Sequence, residues 1–79
     1  MVLSAVNMEL TGQNIASLRQ RRGIAVKDLQ EMLGIATPQA IYKWQRGETL
    51  PSIENLAALS CILGVTIDEI LAVECHAMG

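Results

Sequence analysis

Apolar residues recur at helical spacing from about residue 15 to residue 71, and nearly every apolar run is bounded by residues that start or stop helices. Ile15, Leu18 and Arg22 follow the three-to-four spacing, which predicts a first helix from an N-cap at Thr11 to Arg22, stopped by Gly23. Val26, Leu29 and Leu33 predict a second helix over 26–33 that ends at Gly34 and lacks a capping side chain, since Ala25 stands where Ser, Thr or Asp is preferred. A third helix has both ends marked. Thr37 offers a hydroxyl cap, Pro38 suits a first-turn position whose N–H would have no partner, and Gly47 can adopt the left-handed stop. Ser52 after Pro51 opens a fourth helix, Ile53 to Leu63, with Ile53, Leu56, Leu59, Ile62 and Leu63 as its apolar stripe. Thr66, with Glu69 in capping-box spacing, opens a fifth whose apolar positions are Ile67, Ile70 and Leu71.

The ends of the chain follow a different pattern. Val2, Val6, Met8 and Leu10 share a period of two, so residues 1–10 read either as a short strand, paired with a second subunit, or as a loosely docked arm. Residues 11–73 make the folded domain, and 74–79 read as a C-terminal tail. Five short helices joined by tight turns imply an all-α domain around one core. Helix 2, a Gly-containing turn and helix 3 have the form of a helix-turn-helix.

Composition narrows the function. At 79 residues the chain is one domain with one core, and with no Phe, one Trp and one Tyr that core is aliphatic. No apolar run approaches the roughly 20 residues of a membrane helix, and no signal-peptide pattern opens the chain, which places the protein in the cytoplasm and away from membranes. Cys61 reads as a small buried hydrophobe. Cys61, Cys75 and His76 lack the number and spacing of a zinc site, and no nucleophile–base or paired-carboxylate set is present. The sequence therefore predicts no enzyme, no metal and no cofactor.

Charge changes the picture more. The net charge is −2, yet all six basic residues (Arg19, Arg21, Arg22, Lys27, Lys43 and Arg46) fall between positions 19 and 46, opposed there only by Asp28 and Glu31. From Glu48 onward there are carboxylates and no Lys or Arg. A basic middle and an acidic C-terminal half suit one face meeting phosphates, as they also suit two separately solvated faces. On helix 3, Ile41 and Trp44 share one side, while Gln39, Lys43 and Arg46 share another. Gln and Lys on an exposed helical face are able to read base edges in the DNA major groove.

The motifs Gly12-Gln-Asn-Ile-Ala-Ser-Leu-Arg-Gln-Arg-Arg-Gly23, Asp28-Leu-Gln-Glu-Met-Leu-Gly34, Ile41-Tyr-Lys-Trp-Gln-Arg-Gly47, Leu50-Pro-Ser-Ile-Glu-Asn-Leu56 and Leu63-Gly-Val-Thr-Ile-Asp-Glu-Ile-Leu71 stand in order along the chain. Together they resemble the lambda-repressor-like helix-turn-helix family, also called the Cro/C1 or xenobiotic-response-element type. The resemblance implies a five-helix domain that binds double-stranded DNA, usually as a homodimer, with the helix from Pro38 in the major groove. It implies a transcriptional regulator, repressor-like in action and associated with the nucleoid. The alternative use of such a fold is as a protein-interaction module, such as an antitoxin with a protein partner.

Base contacts are expected from Gln39 or its neighbour Ala40, from Lys43 and from Tyr42, which either meets the DNA or packs at the helix flank. Phosphate contacts are expected from Gln13 and Asn14 in the first turn of helix 1, and from Lys27, Thr37, Arg46 and Thr49. Arg21 and Arg22 read as solvated surface or phosphate contacts. Leu3, Val6, Leu71, Val73 and Met78 are candidate dimer contacts.

The chain departs from the family pattern at several points. Ala25-Val26 replaces the usual Thr-Gln or Ser-Gln at the start of helix 2, so the phosphate contact of that Gln is lost or passes to Lys27 or backbone N–H groups. Gln30 replaces a common Ala, and is expected either to open the packing of helices 2 and 3 or to point its amide outward. The turn from Gly34 to Ile41 is one residue longer than usual. Gln45 stands where the family often has Glu, leaving Arg19 a neutral acceptor. Glu48 replaces a frequent Lys, which weakens the phosphate clamp there.

Overall fold

A computed structural model describes residues 2–77, and describes only the backbone of 2–5 and 75–77. The order of elements is β1 (Val2–Val6), α1 (Met8–Arg21), α2 (Val26–Leu33), α3 (Gln39–Gln45), α4 (Ile53–Leu63), α5 (Ile67–Ile70) and β2 (Val73–Ala77). The five helices enclose one core of Ile15, Leu29, Ile41, Trp44, Leu56, Leu59, Leu63 and Ile70. Every helix contributes to it, and burying an aliphatic side chain of this size stabilises the fold by roughly 1.5–3 kcal/mol. Helix α1 packs on α3 and α5, while α4 packs on α2 and α5.

Helix α1 starts earlier than the apolar spacing predicts. Asn7, not Thr11, is its N-cap, and its side-chain oxygen accepts from the Leu10 N–H at 2.9 Å. Thr11 lies inside the helix, 1% exposed, where its hydroxyl oxygen accepts from the Ala72 N–H at 2.9 Å. Met8 and Leu10, which share the period of the preceding strand, belong to this first turn.

The terminal segments find each other. β1 and β2 form a two-stranded antiparallel ribbon running from Val2 opposite Ala77 to Val6 opposite Val73. The segment that read as a strand or arm thus has its partner within the chain, in residues that read as a tail. The ribbon is tied to α1 where the strands converge. The Asn7 N–H donates to the Ala72 carbonyl at 2.7 Å, and the Asn7 amide donates to the Glu74 carboxylate at 2.8 Å.

Helices α2 and α4 match their predicted spans, and α5 starts after Thr66 as predicted but ends at Ile70, with Leu71 already extended; Ala25 gives no side-chain cap, and Ser52 and Thr66 accept from Asn55 N–H and Glu69 N–H. Two apolar expectations fail on α4. Ile53 is 82% exposed at the first position of the helix, one turn before the Leu56–Leu59–Leu63 stripe enters the core. Cys61 is free and exposed, off the Leu56–Leu59–Leu63 stripe that meets the core. The side chains of Cys75 and His76, and all of Met78, lie outside the described residues. No helix is long and apolar enough to cross a membrane among the described residues.

Candidate nucleic-acid interface

Helix α3 is held from behind. Ile41 and Trp44 are buried in the core, and α1 crosses the C-terminal end of α3 at Gly12. A Cβ on Gly12 would stand 2.2 Å from the Trp44 carbonyl oxygen and 2.7 Å from that of Gln45, so the crossing requires glycine. The exit is equally close. Gly47 has φ +76°, and a Cβ there would lie 2.8 Å from the Glu9 Cα. Arg19 adds a polar tie, its Nε donating to Gln45 Oε1 at 3.0 Å and its Nη1 to the Ile24 carbonyl at 2.9 Å. The neutral acceptor expected at Gln45 is thus in use.

The opposite side of α3 faces solvent. Gln39, Tyr42 and Lys43 are exposed together with Arg46, and Gln39 and Lys43 stand one helical turn apart. Ala40 is half-buried and packs against the core, so of the two candidates for the first outward position the structure turns Gln39 out and Ala40 in. Tyr42 is 40% exposed, leaving it on the open flank.

Helix α3 starts one residue later than predicted. Pro38 occupies the N-cap with helical angles, φ −75° and ψ −7°, and its carbonyl accepts from the Tyr42 N–H at 3.2 Å. The expected Thr37 cap does not form. Thr37 lies outside the helix, exposed in the turn.

The Gln30 amide is engaged by the turn. Its amide Nε2 folds over the turn and donates to the Ile35 carbonyl at 3.3 Å and the Ala36 carbonyl at 3.1 Å. Its own backbone carbonyl accepts from the Ile35 N–H at 3.3 Å.

The cations near the end of α3 are not equally free. Arg46 pairs through its Nε with the Glu48 carboxylate, and the Glu48 N–H donates to the Lys43 carbonyl at 2.9 Å. The hydrogen bond from Arg46 holds the Glu48 carboxyl below its usual value, against the opposing effect of desolvation and with lesser help from the positive charges of Arg46 and Lys43. Glu48 is therefore ionised at neutral pH and offsets one of the two charges beside it. Thr49 is exposed in the same loop.

The remaining phosphate candidates divide. Lys27 is exposed near the uncapped start of α2. Gln13 and Asn14 do not lie in a first turn, because α1 starts at Met8 and puts both inside the helix. Gln13 remains exposed, whereas the Asn14 amide donates to the Ile70 carbonyl at 3.0 Å and ties α1 to α5. Apolar spacing does not single out Gly12 or Asn7. A glycine inside a helical pattern is the signal that finds Gly12, and an Asn three residues before Leu10 has the chemistry of a cap.

This geometry has counterparts in known proteins. The helix-turn-helix family model matches residues 15–70. Repressor protein C2 of Salmonella phage P22 is 38% identical over 66 residues, covering 84% of this chain and 30% of the repressor. The HTH-type transcriptional regulator DdrOP3 of Deinococcus deserti is 34% identical over 59 residues, covering 75% of this chain and 45% of the regulator. The chain thus spans less than half the length of these curated relatives. The solution structure of the DNA-binding domain of the P22 C2 repressor superposes with a TM-score of 0.72 at 38% identity, covering 81% of this chain and 83% of that domain.

Proposed function

The chain belongs to the helix-turn-helix family, of the lambda-repressor-like, Cro/C1 type, and from that premise we propose that it is a sequence-specific, double-stranded DNA-binding transcriptional regulator. The observation that carries this reading is the two-sidedness of α3. Ile41 and Trp44 fix one side in the core, and Gln39, Tyr42 and Lys43 stand free on the other. In the major groove, Gln39 is suited to bidentate contact with adenine N6 and N7, and Lys43 to guanine O6 and N7. Lys27, Thr37, Arg46 and Thr49 are the exposed groups suited to phosphate, with Gln13 beside them in chemistry but on α1. Such a protein works inside the cell, on the nucleoid. The antitoxin-like alternative gains no support from relatives named as a repressor and a transcriptional regulator.

A homodimer on two-fold-related half-sites fits this function. The ribbon is the proposed contact. A two-stranded ribbon is marginal alone in water, each of its strands has an unpaired outer edge among the described residues, and Val73 is 58% exposed. Leu3, Val6 and Val73 lie on it, and Leu71 just precedes it. Sedimentation of a Val73→Lys variant alongside the parent tests this: a shift to monomer supports the ribbon contact, and an unchanged dimer removes it.

The DNA-binding reading is tested by fluorescence polarisation against duplexes enriched from a randomised pool and against random duplexes, each at two salt concentrations. Binding that prefers the enriched duplex and weakens with salt is expected. Absence of binding to any duplex at low salt overturns it.

A further inference from the structure

We propose that Gln30 is a positioning residue for DNA sequence readout: its side chain braces the turn that delivers α3, and so fixes where Gln39 stands. For its functional half the inference rests on the DNA-binding reading.

The turn between α2 and α3 runs from Gly34 to Pro38, and its two ends are held by different means. At the α2 end, Gly34 takes the left-handed conformation, φ +69°, and its N–H donates to the carbonyls of Gln30 and Glu31. At the α3 end, Pro38 stands at the N-cap without a side-chain cap. Between them Ile35 packs on the core, while Ala36 and Thr37 are exposed. Gln30 supplies the missing restraint. It accepts from the Ile35 N–H with its backbone carbonyl and donates with its amide to the carbonyls of Ile35 and Ala36.

A single half-buried residue therefore grips the turn on both sides of Ile35. Among the described residues no other side chain bonds to the Ala36 carbonyl. Gln39 is only three residues beyond Ala36, with Pro38, whose φ is fixed by its ring, between. Movement of the Ala36 peptide is thus passed on to the first outward side chain of α3. A base reader must be held within a fraction of an ångström to keep a bidentate pair, whereas a phosphate contact tolerates more. Loss of the brace should cost discrimination more than it costs attraction to DNA.

The test uses Gln30→Met, which keeps the length of the side chain but cannot donate, and Gln30→Glu, whose carboxylate repels the two carbonyls. Two readouts are taken on the full chain. The first is the ratio of affinities for a duplex enriched by the parent protein and for a random duplex. Gln30→Met should lower this ratio about tenfold through weaker enriched-duplex binding, as expected for lost hydrogen bonds at a readout position, with the salt slope on random DNA unchanged. Gln30→Glu should lower it further. The second is amide hydrogen exchange without DNA, in which the Ile35 and Tyr42 N–H groups should exchange faster in both variants while Leu59 in the core keeps its protection. Unchanged exchange at Ile35 and Tyr42 overturns the brace. Faster exchange with an unchanged affinity ratio overturns the link to readout. If the parent enriches no duplex, the DNA-binding reading fails by itself, and the exchange result still decides whether Gln30 holds the turn.

Discussion

Gly12 of α1 lies directly against the Trp44 carbonyl of α3, so close that a Cβ on Gly12 would stand 2.2 Å from that oxygen. The atoms it would meet are backbone, which cannot rotate away as a side chain can. Helix α3 therefore rests on α1 through a contact that admits no substituent. The same α3 segment buries Trp44 and Ile41, so its orientation is set by the core behind it.

Gly12→Ala should destabilise the domain although alanine is the better helix former. The expected loss is about 1–3 kcal/mol, the usual cost of overpacking, and a large part of what a domain of this size has to lose. Urea unfolding of Gly12→Ala beside Gln13→Ala, an exposed neighbour on the same helix, separates the effect from helix propensity. Equal midpoints for the two variants would show that α1 and α3 can part at little cost.

Lys43 is the exposed cation nearest the middle of α3 that is not engaged in an ion pair among the described residues. If it reads a base, Lys43→Ala costs roughly 1–3 kcal/mol of binding and relaxes preference at one position of the site. Titration of the variant against single-base variants of an enriched duplex measures this. An equal loss on enriched and random DNA would make Lys43 a phosphate contact and leave Gln39 as the principal reader.

Asn7→Ala distinguishes the observed start of α1 from the start that the apolar spacing suggests. With Asn7 as N-cap, its replacement should cost about 1 kcal/mol, together with the loss of its bond to Glu74. With Thr11 as the cap the same change would be nearly silent. Thr11→Val makes the converse point: it removes the acceptor of the Ala72 N–H in a buried position, for an expected cost of about 1–3 kcal/mol. Chemical denaturation of both variants reads the pair.

These residues mark which parts of the fold are legible in the sequence. Helices α2, α4 and α5 carry local signals that agree with one another: a three-to-four apolar stripe and a Gly or capping residue at the end. The two faces of α3 are legible for the same reason, since Ile41 and Trp44 against Gln39 and Lys43 is a matter of spacing within one helix. What escapes is set by distant partners. Thr11 looks like a cap until Ala72, far along the chain, claims its hydroxyl. The ribbon pairs the two ends of the chain, and neither strand alone names the other. Gln30 resembles an awkward substitution for Ala until the turn carbonyls it bonds are seen. Asn14 has the chemistry of a phosphate ligand, yet the end of α5 takes its amide.

Glu48 restrains the positive end of this surface, and its removal should make DNA binding stronger but less selective. Its carboxylate pairs with Arg46 and lies in the field of Lys43, and both lower its pKa from the ordinary 4.5. A carboxyl whose pKa is lowered by folding adds stability above its unfolded value and loses it as the pH falls through the folded one. The pair should therefore be intact at neutral pH and open in acid, below the ordinary carboxylate range. Because the Arg46–Glu48 pair lies on the surface, Glu48→Gln should leave the denaturation midpoint nearly unchanged. Its effect on DNA should be larger. Freed from Glu48, Arg46 becomes available to a phosphate, and each additional phosphate neutralised steepens the salt dependence of log K by about 0.9. Random and enriched duplexes should both bind more tightly in Glu48→Gln, and the preference for the enriched duplex should fall. A salt slope equal to that of the parent protein would place Arg46 off the DNA, with its pairing to Glu48 a feature of the loop alone.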